Sequence, residues 1–112
     1  MKIWLDDEFD ARKDWFPVSD GWIHCRWPLE VIGHLQTGTV TDMSLDHDLG
    51  EGNEVPYPRT GYDVIRWLEN EVGFERWKQP LPRISFHSQN PEGKRRMEQG
   101  LKQIMRMIEK RT

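Results

Sequence analysis

Two short segments of this sequence each end abruptly in a run of carboxylate side chains. They are Lys2–Leu5, followed by Asp6, Asp7 and Glu8, and Asp42–Leu45, followed by Asp46, His47 and Asp48. A short, largely apolar run that is followed directly by charged side chains is typical of a strand that reaches the edge of a sheet. Strands of a parallel sheet end at one edge, where open α/β folds place their ligands. We therefore expect a fold that brings both acidic ends to one crevice.

A third strand-like run, Arg83–Phe86, ends in His87 and Ser88. If it lies beside the other two, carboxylates and imidazoles converge on one site. Such a concentration of carboxylates repels itself unless protons or a cation neutralise it. Dense oxygen ligands suit Mg²⁺, Mn²⁺ or Ca²⁺ better than Zn²⁺. The sequence therefore predicts a metal site, with a solvated acidic turn as the alternative.

The remaining pattern predicts a small doubly wound α/β fold. Beyond the three runs above, the predicted elements are a strand at Trp22–Arg26, a helix from Pro28 to near Gly38, a helix from the N-cap Thr60 to near Gly73, and a final helix opened by Asn90 and Pro91. This order implies right-handed parallel crossovers and helices on both faces of the sheet. We thus expect a mostly parallel four-stranded sheet in three α/β/α layers, with residues 49–59 forming a flap.

Composition sets the remaining limits. A chain of 112 residues is long enough for one domain, and we take residues 1–112 as a single domain. The net charge of −3 provides no overall attraction to nucleic acid or membrane. A single cysteine, Cys25, cannot form an internal disulfide. No signal peptide and no apolar run approaching about 18 residues is found, so we expect a cytoplasmic protein with no membrane contact.

Tryptophan and basic residues are the other unusual features. We expect four of the six tryptophans in the core, namely Trp4, Trp22, Trp27 and Trp67, and Trp15 or Trp77 at a pocket or partner surface. The final helix should bury an apolar stripe formed by Met97, Leu101, Ile104, Met105 and Ile108. Its many cations form either a solvated face or a surface for a phosphate-rich or protein partner.

Several polar residues are candidates for chemistry at the predicted crevice. Histidine transfers protons near neutral pH, which makes His87 a candidate acid or base. Ser88 and Asn90 can donate hydrogen bonds to a phosphoryl oxygen, and the start of the last helix attracts anions. Arg59 is either a phosphate clamp or a surface residue. We interpret His24 and His34 as structural or surface residues.

The motifs resemble those of the receiver domains of two-component signalling and, more closely, the cyclic-phosphate processing receiver-like domain. The matching residues are Leu-Asp-Asp-Glu at 5–8, Ser-Leu-Asp-His-Asp-Leu-Gly at 44–50, Thr-Gly-Tyr-Asp at 60–63 and His-Ser-Gln-Asn-Pro at 87–91. The resemblance implies a receiver-like fold and phosphoesterase action on a cyclic phosphate, either a cyclic nucleotide or a 2′,3′-cyclic phosphate RNA end.

Our hypothesis from the sequence is a metal-dependent phosphodiesterase. The expected Mg²⁺ or Mn²⁺ ligands are Asp6, Asp7, Glu8 and Asp46, the expected catalytic residues are His47, His87, Asp46 and Asp48, and the expected substrate contacts are Ser88, Asn90, Arg59 and Tyr62. Either water or Asp46 is the nucleophile. We favour water, because no fifth strand supplies the lysine with which receivers pair the phosphoryl group. The alternative function is a non-catalytic module that binds a nucleotide or a protein.

Overall fold

The computed structural model describes residues 1–6, 21–46, 60–87 and 90–110. Its elements are β1 (Lys2–Leu5), β2 (Trp22–Cys25), α1 (Pro28–Gln36), β3 (Asp42–Leu45), α2 (Gly61–Gly73), β4 (Arg83–Phe86) and α3 (Pro91–Glu109). Every predicted strand and helix is present, and the bounds differ by a residue or two at the ends of β2 and α1. No helix within the described ranges is long and apolar enough to span a membrane.

The four strands form one parallel sheet in the order β2-β1-β3-β4. This confirms the predicted parallel, receiver-like α/β fold. Leu5 is level with Cys25 and Leu45, and Leu45 is level with Phe86, so the strands end at the same height. The chain leaves β1 for one edge of the sheet and later returns to build β3 and β4 on the other side. The ends of β1 and β3 therefore flank a topological switch point.

The helices pack on the sheet face that carries the apolar side chains. Ile3, Leu5, Met43 and Leu45 on this face are fully buried. They form one core cluster with residues of all three helices: Val31 and Leu35 of α1, Val64 and Leu68 of α2, and Met97 and Ile104 of α3. Both connections that contain α1 and α2 cross the sheet in the same direction, so the right-handed rule places them on one face. A second helical layer is not found among the described residues, and that part of the three-layer arrangement stays a prediction.

Local capping explains where the helices begin. Thr60 and Asp63 form the predicted capping box, with the Asp63 N–H donating to Thr60 Oγ1 at 3.3 Å and the Thr60 N–H to Asp63 Oδ2 at 3.0 Å. Asn90 Oδ1 accepts a hydrogen bond from the Gly93 N–H at 3.1 Å, and Pro91 occupies the first turn of α3. Each cap satisfies a backbone donor that the helix itself leaves unpaired.

The structure corrects the predicted places of several large side chains. Trp77 is 4% exposed and belongs to the core, whereas Trp27 is 43% exposed. Trp27 is the extended N-cap residue of α1, so its side chain lies outside the buried stripe of that helix. Met105 is 49% exposed because it follows the buried Ile104 by one helical step of about 100°. Trp67 packs against the core as predicted.

Trp4 and Trp22 are half-buried, but they lie on the other face of the sheet. Successive side chains of a strand point to opposite faces, and their neighbours Ile3 and Ile23 belong to the helix-covered face. Within the described part of the chain, neither ring belongs to the apolar core or to the side chains packed against it. Neither tryptophan therefore belongs to the core that the three described helices form.

Gly100 of α3 lies close against Ile65 of α2, and this contact predicts opposite effects for two glycine substitutions. A Cβ at Gly100 would lie 2.6 Å from Cγ2 of Ile65, which is fully buried. Gly100→Ala should therefore lose stability by about 1–3 kcal/mol through overpacking, more than its helix-propensity gain of about 1 kcal/mol. Gly33 of α1 has nothing within 4 Å of a built Cβ, so Gly33→Ala should be stabilising. Urea unfolding measures both, and equal stabilisation by the two changes would contradict the contact.

Burial of the Cys25 thiol predicts a pH-dependent contribution to stability. Cys25 is 1% exposed. Burial, followed by the negative charge of Glu30, raises the pKa of this thiol from 9.0 to about 12. Because the thiol ionises more easily in the unfolded chain, its contribution is intact below pH 9.0 and is lost as the pH rises toward about 12. Cys25→Ala should flatten the alkaline fall in the unfolding free energy relative to wild type. Parallel pH profiles for the two proteins would show this expectation to be wrong.

Candidate active site

Asp6, Asp46 and His87 are the first residues beyond the ends of β1, β3 and β4. Their backbone N–H groups extend the sheet by one further rung. Asp6 donates to the Cys25 carbonyl at 3.0 Å, Asp46 to the Leu5 carbonyl at 3.1 Å, and His87 to the Leu45 carbonyl at 3.1 Å. The sheet thus fixes the backbone of all three residues at the switch point.

The side chains of these residues form one buried group, which we call the Asp-Asp-His cluster (Asp6, Asp46 and His87). One potential ligand atom from each residue lies within 4.8 Å of the others. Asp6 is 1% exposed and Asp46 is 5% exposed. Nε2 of His87 lies 3.4 Å from Oδ2 of Asp6, and the imidazole side chain is 13% exposed. The cluster is therefore largely dry, which strengthens the electrostatic interactions within it.

Two neighbours orient the His87 imidazole. Its Nδ1 shares a hydrogen bond of 2.7 Å with Oγ of Ser44. Its ring stacks on the indole of Trp4, with the centroids 4.1 Å apart and the planes at 12°. Because Ser44 engages Nδ1, the other ring nitrogen is directed at Asp6. A hydroxyl can donate or accept, so the Ser44 contact is compatible with either neutral tautomer of the ring.

The main chain on each side of the cluster is also fixed. Nε2 of His24 donates to the Asp6 carbonyl at 2.5 Å, which agrees with our structural interpretation of His24. On the opposite side, Gly61 at the start of α2 lies against the Asp46 carbonyl. A Cβ at Gly61 would lie only 2.1 Å from that oxygen, so only glycine fits this helix start.

This arrangement can hold a cation or move a proton. Two buried carboxylates this close repel each other, and a positive group bound between them would offset that repulsion. The donor set of two carboxylates and one imidazole fits Mg²⁺ or Mn²⁺, since both accept oxygen ligands and Mn²⁺ also accepts nitrogen. The imidazole is also placed to exchange a proton with a group bound beside Asp6.

The structure brings together three of the predicted site residues, Asp6, Asp46 and His87, and it places two more. The Asn90 side-chain oxygen caps α3, three residues after His87. Tyr62 lies in the first turn of α2 and is partly buried against the core. Six predicted site residues lie outside the described ranges: Asp7, Glu8, His47, Asp48, Arg59 and Ser88.

Sequence reasoning missed the supporting residues Trp4, Ser44 and Gly61. The period-2 alternation of a strand contained the signal for two of them. Trp4 and Ser44 precede Asp6 and Asp46 by two residues and so share their face of the sheet. Gly61 stands in the Thr-Gly-Tyr-Asp motif at 60–63, but its close approach to Asp46 depends on where α2 docks, which the motif does not specify.

A parallel sheet in the order β2-β1-β3-β4, with acidic residues at its switch point, defines a receiver-like α/β domain. A family model described as the cyclic-phosphate processing receiver domain matches residues 1–103. The chain therefore belongs to this family, as its motifs predict. The comparison with curated proteins and the comparison with solved structures each gave no match.

The contact at Gly61 predicts that a single methyl group disturbs the site. Gly61→Ala should destabilise the fold by about 1–3 kcal/mol or more, because backbone atoms of Asp46 cannot move aside as a flexible side chain would. Urea unfolding should show this loss, and NMR should show shifts at the Asp46 amide and the His87 ring. Gly33→Ala is the control, because a Cβ at Gly33 would have open space around it. An Asp46 amide signal that is unchanged in Gly61→Ala would contradict the contact.

Proposed function

We propose that this domain hydrolyses a cyclic phosphodiester in a metal-dependent reaction. The observation that supports the proposal most strongly is the convergence of Asp6, Asp46 and His87, with ligand atoms within 4.8 Å of one another at the switch point. Membership of the cyclic-phosphate processing receiver family supports the substrate class. Catalysis of phosphoryl transfer depends mainly on positioning and on charge stabilisation, and a buried cluster at a sheet edge can provide both.

Asp6 and Asp46 are the residues that we propose hold Mg²⁺ or Mn²⁺, with Asp7 and Glu8 as further carboxylates adjacent in sequence. Bound there, the cation would supply positive charge against the phosphoryl oxygens and would acidify a water molecule. The ladder hydrogen bonds of Asp6 and Asp46 support this role, because ligands with fixed backbones need little reorganisation on binding.

In the proposed reaction, a water oxygen forms a bond to phosphorus and the bond from phosphorus to one ester oxygen of the ring breaks. One proton leaves the water and one reaches the departing ribose oxygen. His87 and His47 would share these transfers, in either order, with Asp48 assisting His47. Ser44 supports this role for His87, because its hydroxyl can follow the imidazole through both tautomers. Attack by Asp46 through an acyl phosphate is the alternative that we favour less.

Several further residues are proposed to orient the cyclic phosphate. Asn90 lies at the N-terminus of α3, whose helix dipole favours a bound anion. Its amide nitrogen and the Ser88 hydroxyl are proposed donors to phosphoryl oxygens, and Arg59 is a proposed clamp. Tyr62 is proposed as a further substrate contact. A cyclic nucleotide and an RNA end both carry the chemical group that this arrangement would bind.

One set of assays tests the proposal. Purified protein is incubated with 2′,3′-cyclic nucleotides, 3′,5′-cyclic mononucleotides and cyclic dinucleotides, with Mn²⁺ or with EDTA, and products are separated by chromatography. We expect turnover of one class, which EDTA abolishes. His87→Ala and Asp46→Asn should each lower kcat by about 10²–10⁴-fold, the range for loss of a proton-transfer or charge-stabilising group. Hydroxylamine should trap no acyl phosphate if water attacks directly.

The chain supplies matched controls for both variants. Asp42 lies at the opposite end of β3 and pairs with Arg83 at 2.8 Å, so Asp42→Asn makes the same chemical change outside the cluster. His34 of α1 serves in the same way for His87, and both controls should retain wild-type rates. Turnover that persists in EDTA and in both cluster variants would refute the assignment. Binding without turnover would instead support the non-catalytic module.

A further inference from the structure

The sheet face opposite the three described helices carries aromatic side chains next to the Asp-Asp-His cluster. Trp4 of β1 and Trp22 of β2 are half-buried on this face, and neither belongs to the apolar core that the described residues form. Full burial of a tryptophan ring would contribute several kcal/mol, roughly, to the stability of a small domain. A ring that stays partly exposed gives up part of that stability. Trp4 stacks on a residue of the candidate site, whereas Trp22 is level with Lys2 at the other end of β1 and contacts Trp4. This placement suggests a role in binding.

The rings form a continuous series that starts at the site. The His87 imidazole stacks on Trp4 at 4.1 Å, and Trp4 contacts the edge of Trp22 with centroids 5.8 Å apart and planes at 89°. The Trp22 ring therefore lies no farther from the imidazole than the sum of these two distances. A nucleoside cyclic phosphate separates its base from its phosphate by a comparable length.

The charge near Trp22 also suits a nucleotide. Nζ of Lys2 lies 5.9 Å from the centroid of the Trp22 ring, a cation–π arrangement at the neighbouring position of β1. Aromatic rings combined with cations are the elements with which proteins bind nucleobases and their phosphates without sequence preference.

We propose that Trp22 is a substrate-binding residue on which the nucleobase of a nucleoside cyclic phosphate stacks while the phosphate lies at the Asp-Asp-His cluster. This inference rests on the proposed function and narrows its substrates to nucleosides. Trp4 has a different role in this arrangement, because its indole already stacks on His87 and orients that ring. Stacking accepts every base, so the proposed site discriminates nucleosides from other cyclic phosphates and does not discriminate one base from another.

Steady-state kinetics with two substrates tests this proposal. One substrate is 2′,3′-cyclic AMP, and the other is glycerol 1,2-cyclic phosphate, which has the same five-membered ring but no base. Trp22→Ala should raise KM for 2′,3′-cyclic AMP about tenfold and leave kcat within about twofold, because only binding energy remote from the reacting phosphate is lost. It should change neither parameter for glycerol 1,2-cyclic phosphate. Trp22→Phe, which keeps an aromatic face, should restore most of the affinity.

Phe74→Ala is the matched control. Phe74 is 69% exposed and has the Arg76 guanidinium carbon 4.9 Å from its ring centroid, but it lies at the end of α2 remote from Gly61. It should leave the kinetics of both substrates unchanged. If Trp22→Ala affects both substrates equally, or neither, the stacking proposal is overturned while the proposed function stands. If wild-type protein turns over neither substrate, the stacking proposal is overturned, and the proposed function is overturned with it only if the 3′,5′-cyclic mononucleotides and cyclic dinucleotides are not hydrolysed either.

Discussion

Backbone hydrogen bonds that extend the sheet one residue past its strands hold the candidate site together. The N–H groups of Asp6, Asp46 and His87 each donate to a carbonyl at the end of a neighbouring strand. Two carboxylates placed side by side repel each other, and this constraint keeps them close. The in-register ends of β1, β3 and β4 impose it. The folding of the core therefore holds two carboxylates and an imidazole close together, an arrangement that is typical of functional sites.

The two faces of the sheet contribute differently to this site. The face with Leu5 and Leu45 is covered by helices and provides the stability of the domain. The face with Trp4 and Ser44 supports the His87 imidazole, and it carries no residue of the main core in the described part of the chain. Alternation along a strand separates the two roles, so residues can change on one face with little effect on the other.

Much of the fold was predictable because local rules determine it. The strand ends, the capping box at Thr60 and the start of α3 at Asn90 follow from side chains within four residues of each position. The grouping of Asp6, Asp46 and His87 was predictable from one further rule, that parallel strands end at one edge. The places of Trp27 and Trp77 were not predictable, because hydrophobicity alone does not specify which face a residue at a helix start or in a connection turns inward. Nor was the layering of the helices, which depends on the direction of each crossover.

By itself, the sequence determined the strand and helix order, the carboxylate and imidazole groups at the strand ends, and the family to which the domain belongs. Each of these depends on residue types and short spacings, which the chain carries before it folds. Only the tertiary structure decided that Ser44 and Trp4 orient His87 and that Gly61 lies against the Asp46 carbonyl. It also decided that Trp4 contacts both the imidazole and the Trp22 ring. These contacts join segments that are distant in the chain. Their distances follow from how the helices and strands pack, and no local pattern encodes them.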